Sequence, residues 1–265
     1  MKIELLGQTI FASTGGREFD ASANTLMFIH GSGQSHLSFM LQGRFFANRG
    51  WSVLAPDMPA HGLSDGPALT TIAAMADWHI ALMDALGVKT TNIIGHSQGG
   101  LIALEIGRRY PDRVNGISLI ACAMAIPVND ALLDMAKNRE AGAIHAMTDW
   151  GHGTDGHTHD HTMPGQNHLN YGVQMMAANE NGALYADLLA CVDYTDGATA
   201  AAAITCQTQV ILGQRDKMTP MKFGLKMAET LKTTDVTIVP NAGHMLPSER
   251  PVEINRALRP FFKQV

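Results

Sequence analysis

A serine, a histidine and an aspartate stand in this chain where together they could transfer an acyl group. Ser97 lies in Gly95-His96-Ser97-Gln98-Gly99, a G-x-S-x-G run between a β-branched segment, Thr91–Ile94, and an apolar helical pattern, Leu101–Arg109. In that setting the serine sits on a tight turn, and the flanking glycines let strand and helix backbones pass close together. A hydroxyl is a poor nucleophile until a base takes its proton. His244, in Asn241-Ala242-Gly243-His244, follows the strand-like run Val236–Val239, and Asp216 directly follows Gln209–Leu212. Histidine titrates near neutrality, and a carboxylate on its other ring nitrogen fixes tautomer and orientation. An oxyanion formed at the attacked carbon needs two backbone N–H donors. Gln98 supplies one. Ser32, in His30-Gly31-Ser32-Gly33 after the early strand Leu26–His30, is the first choice for the other, with Gly33 as the next candidate.

These groups need a scaffold that brings strand ends into one layer. Strand-like and helix-like runs alternate along the chain, as in a mostly parallel sheet with helices on both faces. Thr9–Ala12, Trp51–Ala55 and Val114–Ala121 read as further strands. Leu37–Asn48, Ile72–Leu86, Met221–Leu231 and Val252–Phe262 read as helices. From about Ala123 to Ala203 the alternation stops, leaving helical patches at Ala131–Asn138, Gln174–Asn179 and Leu184–Val192. The expected organisation is an α/β core of residues 1–122 and 204–265, with a helical cap at 123–203. Such a cap must arch over the strand ends where Ser97 and His244 stand. Its methionines, Met175 and Met176 foremost, are the expected lining of an adaptable apolar pocket.

Five segments carry a resemblance. His30–Gly33, Asp57-Met58-Pro59-Ala60-His61-Gly62-Leu63-Ser64, Gly95–Gly100, Gly213–Asp216 and Gly243-His244 resemble the motifs of the α/β-hydrolase superfamily, over nearly the whole chain. The resemblance implies the α/β-hydrolase fold, a Ser97–His244–Asp216 triad and a scaffold role for Asp57. Serine at the nucleophile position sets the chain apart from the dehalogenase and epoxide hydrolase branches, which work through an aspartyl ester. The first expectation is hydrolysis of a carboxylic ester or thioester through an acyl-enzyme. His30-Gly-Ser-Gly33 also resembles the loop of carbon–carbon hydrolases acting on dienoic diketones, with Gln34 where those enzymes usually have proline. A cofactor-free perhydrolase side activity is a further alternative. Some members of the superfamily serve as ligand receptors, a role that an intact triad argues against.

The remaining composition narrows partners and surroundings. The chain has 265 residues and a formal net charge of −5, which gives no excess of cations for nucleic acid. No apolar run is long enough to cross a membrane, and the opening MKIELLGQTIFAST does not read as a signal peptide. Cys122, Cys191 and Cys206 form no metal or redox spacing and fit reduced, buried thiols in a cytoplasmic setting. The expected partner is a small-molecule substrate with an apolar acyl part, and a second copy of the chain stays open as another. A His-rich run carries His152, His157, His159 and His161 with Asp155 and Asp160, a set that could hold a transition metal. A mobile polar loop explains it as well, and since triad hydrolysis needs no metal, neither metal nor cofactor is expected.

Overall fold

A computed structural model describes residues 1–158, 165–232 and 234–262. Its centre is an eight-stranded sheet, ordered β1-β2-β4-β3-β5-β6-β7-β8. The strands are β1 (Lys2–Leu5), β2 (Gln8–Ser13), β3 (Thr25–Ile29), β4 (Ser52–Pro56), β5 (Thr91–His96), β6 (Val114–Ile120), β7 (Gln207–Gly213) and β8 (Thr234–Val239). From β4 to β8 every pairing is parallel, while β1 and β2 pair antiparallel at one edge. β1 is not evident from its sequence pattern. It is a four-residue edge strand returned by Leu6-Gly7, both at positive φ.

Both faces of the central parallel strands, β3 to β6, are largely buried, so their residues are mostly apolar on both sides of the pleat, whereas the edge strand β8 is partly exposed. In β3, Leu26 and Phe28 point into one cluster, with Phe39, Phe46 and Leu258, and Met27 and Ile29 into the other, with Met75, Leu101 and Ile102. Helices α1 (Met40–Ala47), α2 (Ile72–Leu86) and α3 (Gln98–Arg109) alternate with the early strands. α2 has clear punctuation in sequence: the Thr71 hydroxyl accepts from Ala74 N–H, and Gly87, at φ 73°, closes it.

Between β6 and β7 lie six helices and, among the described residues, no strand. They are α4 (Asp130–Asn138), α5 (Glu140–Gly151), α6 (Thr154–Thr158), α7 (His168–Ala177), α8 (Ala183–Asp193) and α9 (Gly197–Ala203). Leu132, Ile144, Met147, Met176, Leu184 and Leu188 give this segment its own apolar cluster. α5 and α9 are absent from the sequence-based expectation, because Gly142, His145 and Thr148 break the apolar period of one and the other is nearly all alanine. Among the described residues three helices follow β7: α10 (Met221–Thr230), α11 (Leu246–Glu249) and α12 (Pro251–Phe261).

Candidate active site

The turn from β5 into α3 holds Ser97 at φ 53°, ψ −120°, a strained backbone for a residue with a side chain. The neighbouring glycines are sterically required. A Cβ on Gly95 would stand 2.2 Å from the Gly99 carbonyl oxygen, and one on Gly99 would stand 2.1 Å from that of Ile29. Backbone bonds then fix the turn, with Ser97 N–H donating to the Ile120 carbonyl (2.9 Å) and Gly100 N–H to that of Ser97 (2.8 Å).

His244 and Asp216 come together as the sequence predicts. His244 Nδ1 stands 2.8 Å from Asp216 Oδ2, with both residues buried. Burial pushes the Asp216 carboxyl up, but the adjacent His244 ring and the Thr219 amide and hydroxyl outweigh it and hold the group below its usual range. Thr219 does more than a helix start requires. Its N–H and hydroxyl both donate to Asp216, and its oxygen lies 3.1 Å from His244 Nδ1. The signal was the Asp-x-x-Thr spacing ahead of α10, which reads in sequence as an ordinary cap.

The loop bearing His244 is anchored on the helical segment. His244 N–H donates to the Gly151 carbonyl (2.6 Å) at the end of α5, and buried Glu249 accepts from the Gly153 and Gly243 amides. Beneath the ring, His96 Nε2 donates to the His244 carbonyl (2.8 Å). Burial, joined by the neighbouring His244 charge, pushes His96 down to about 3, so it serves as a neutral prop.

Ser97, His244 and Ser32 line one cavity of about 190 Å³. Among the described residues no hydrogen bond joins Ser97 Oγ to His244; such contacts commonly tighten only with substrate bound. Ile126, Leu132, Met147 and Leu188, all from the helical segment, close the cavity's apolar side. Met175 and Met176, expected on that side, are buried elsewhere. The methyl end of Met176 comes within 2.9 Å of where a Cβ on Gly33 would stand, and its sulfur lies 4.0 Å from the Thr148 hydroxyl. The methionines beside Ser97 are Met147, Met218 and Met245. A patch of methionines in sequence does not tell which one faces a cavity.

One oxyanion candidate drops out. Gly33 N–H donates to Asp187 Oδ2 at 2.7 Å and cannot serve a substrate oxygen, which leaves the Ser32 and Gln98 amides. Asp57 is occupied with the scaffold. Its carboxylate accepts from the amides of His36 (2.6 Å) and Leu63 (3.0 Å) and meets the His36 ring. Of the His-rich run, His152 Nδ1 bonds to the Thr148 carbonyl and His157 Nε2 to that of Asp149. His159, Asp160 and His161 lie outside the described residues, among which no three His, Cys, Asp or Glu side chains gather as metal ligands do. No described helix is long and apolar enough to cross a membrane. Cys122 and Cys191 are free and buried, whereas Cys206 is partly exposed.

Residues 26–257 match the model of the alpha/beta hydrolase family. The chain belongs to that family. Protein ABHD8 of Bos taurus is 25% identical over 247 residues, covering 89% of this chain and 55% of that protein. The chain therefore spans about half the length of these first relatives. The 2-hydroxymuconate semialdehyde hydrolase of Pseudomonas putida is 25% identical over 256 residues, covering 90% of this chain and 86% of its own. In fold, an esterase from Exiguobacterium antarcticum superposes with a TM-score of 0.86 at 18% identity, covering 100% of this chain and 99% of that one. The chain is an α/β-hydrolase by family, and its fold is that of the esterase it superposes on.

Proposed function

We propose that this hydrolase cleaves a carboxylic ester or thioester with an apolar acyl part, through an acyl-enzyme on Ser97. The observation that carries the reading is that His244, paired with Asp216, lines the same cavity as Ser97 on its strained turn. His244 takes the hydroxyl proton as Ser97 Oγ bonds to the acyl carbon, and the Ser32 and Gln98 amides hold the oxyanion. The tetrahedral adduct collapses, the alcohol or thiol leaves with the proton from His244, and water then clears the acyl group by the same route. Residues 123–203 act as the cap, supplying the apolar wall that receives the acyl chain. The chain itself supplies nucleophile, base, acid and oxyanion donors.

A second reading is hydrolysis of a carbon–carbon bond in a dienoic diketone. The Pseudomonas relative of similar length favours it, as does Lys217, an exposed cation at the cavity that an acidic substrate could meet. The test is turnover of p-nitrophenyl esters of graded acyl length, acyl-thioesters and dienoic diketones, by wild type and Ser97→Ala. Ester or thioester cleavage should dominate and fall by about 10⁴–10⁶ in kcat in the variant. Cleavage of the diketones alone would move the assignment to the second reading. Activity on nothing in the panel would point to a ligand-binding role.

A further inference from the structure

Asp187 stands inside α8, wholly buried, and touches both sides of the oxyanion pocket. Its Oδ2 accepts from Gly33 N–H at 2.7 Å, beside Ser32, while its backbone carbonyl accepts from the Gln98 side chain at 2.9 Å. Gly33, next to the donor Ser32, belongs to the loop after β3 and Gln98 to the turn after β5, yet one residue of the helical segment ties the two together. A second tie runs parallel. Asn179, just beyond α7, donates to the Gly33 carbonyl (2.6 Å) and accepts from Gly62 N–H (2.9 Å).

The same carboxylate oxygen meets His61 Nε2 at 2.9 Å, and the other nitrogen of that ring lies 3.0 Å from the Pro59 carbonyl. The carbonyl can only accept, which puts a proton on Nδ1; with the Asp187 carboxylate ionised, Nε2 carries the other and the two side chains form a buried ion pair. Such pairs add little net stability over well-packed apolar groups, because the cost of desolvation offsets their attraction. What the pair does supply is orientation. It fixes the carboxylate that fixes Gly33, and donors held in place need no reorganisation when the oxyanion forms.

We propose that Asp187, supported by Asn179, is a positioning residue that sets the span of the oxyanion pocket, holding the Gly31–Gly33 loop against the Gln98 turn so that the Ser32 and Gln98 amides converge. The inference rests on the acyl-transfer reading above. It implies that the helical segment helps shape the catalytic centre as well as the substrate pocket.

The test compares wild type, Asp187→Ala, Asp187→Asn and Asn179→Ala on one p-nitrophenyl ester. A second readout is the rate at which a fluorophosphonate probe labels Ser97, the Oγ–P bond forming as fluoride leaves. Removing one oxyanion donor costs about 10²–10³ in kcat. Letting donors drift should therefore lower kcat by about tenfold to a hundredfold in Asp187→Ala, with KM within about twofold. Labelling should slow in parallel. Asp187→Asn should stay within about threefold of wild type, because its amide oxygen can stand where Oδ2 stands and accept from both Gly33 N–H and His61 Nε2–H. Asn179→Ala, at a partly buried position and expected to fold, should show the same kcat-only loss in smaller measure and decides the question if Asp187→Ala does not fold. Wild-type kcat and labelling in the folded variants would overturn the inference, as would Asp187→Asn failing as badly as Asp187→Ala. Absence of any ester turnover by wild type would instead remove the acyl-transfer reading, and the labelling rates would still decide the role of Asp187.

Discussion

Asp57, Asp187 and Asp216 are all buried carboxylates at the ends of core loops or on a covering helix, and their hydrogen bonds give each a different task. Asp216 holds the ring of His244, while Asp57 holds the amides of His36 and Leu63. Asp216→Asn should therefore cost about 10⁴ in kcat, through loss of ring orientation and charge, with little change in Tm. Asp57→Asn should lower Tm and leave kcat within a few-fold. Steady-state kinetics beside thermal unfolding separate the two, and the reverse pattern would exchange their roles. For Asp187 the partner is the charged ring of His61, whose pKa is raised: burial pushes it down, but the Asp187 carboxylate more than offsets this. A raised folded value means the pair's contribution is whole below about pH 6.5 and fades as pH climbs through the folded value. The Tm gap between wild type and His61→Gln should narrow from pH 6 to pH 9. A gap that stays constant would mean that the ring is neutral in the fold.

At the scale of elements, the turn between β5 and α3 depends on missing side chains. Gly95→Ala would drive a methyl group into the Gly99 carbonyl and should destabilise by about 1–3 kcal/mol, or displace Ser97 and lose activity. Gly43, in α1, meets only ordinary contacts, the nearest 3.6 Å from Val53, so Gly43→Ala should stabilise by about 0.5–1 kcal/mol. Chemical denaturation of both variants checks the contrast; equal losses would show that packing around α1 is as tight as at the turn. The same contrast explains what could be read beforehand. Ser97, His244 and Asp216 follow strands whose apolar runs are short and ended by glycine or proline, so local pattern places them beyond strand ends. β1, α5 and α9 have no such punctuation. The roles of Asp187 and Thr219 arise from contacts across the fold, and a buried aspartate inside a helix carries no local mark of its partners. Gly33 reads in sequence as an oxyanion candidate for the same reason: the glycine-rich loop is legible, but the carboxylate occupying its amide comes from α8.

For the whole molecule, the proposed reading gives catalysis to the sheet and the choice of acyl chain to the helical segment. Ser97 and His244 belong to the strand ends, whereas Ile126, Leu132, Met147 and Leu188 reach the cavity from the segment between β6 and β7. The cavity holds about 190 Å³, so an acyl chain gains by burying methylenes only until that space is filled. Each CH₂ buried contributes about 0.8 kcal/mol, close to a factor of about four in kcat/KM when the gain carries into the transition state. The profile of kcat/KM against acyl length should therefore climb by up to that factor per carbon, reach a maximum, and fall when the chain meets the far wall. Met147→Ala removes part of that wall and should move the maximum to longer chains, at some cost in stability because Met147 is buried in the segment's own cluster. Trp150→Ala, at an exposed position on the cavity, should loosen the preference with a smaller loss of stability. Met175→Ala and Met176→Ala serve as controls, since neither side chain lines the cavity: Tm should drop while the position of the maximum stays. The measurement is kcat/KM for p-nitrophenyl esters from acetate to octanoate in each variant. A maximum that moves in the controls and stays fixed in Met147→Ala would place chain-length selection outside the wall of α4, α5 and α8, and would remove the segment's assigned part in specificity.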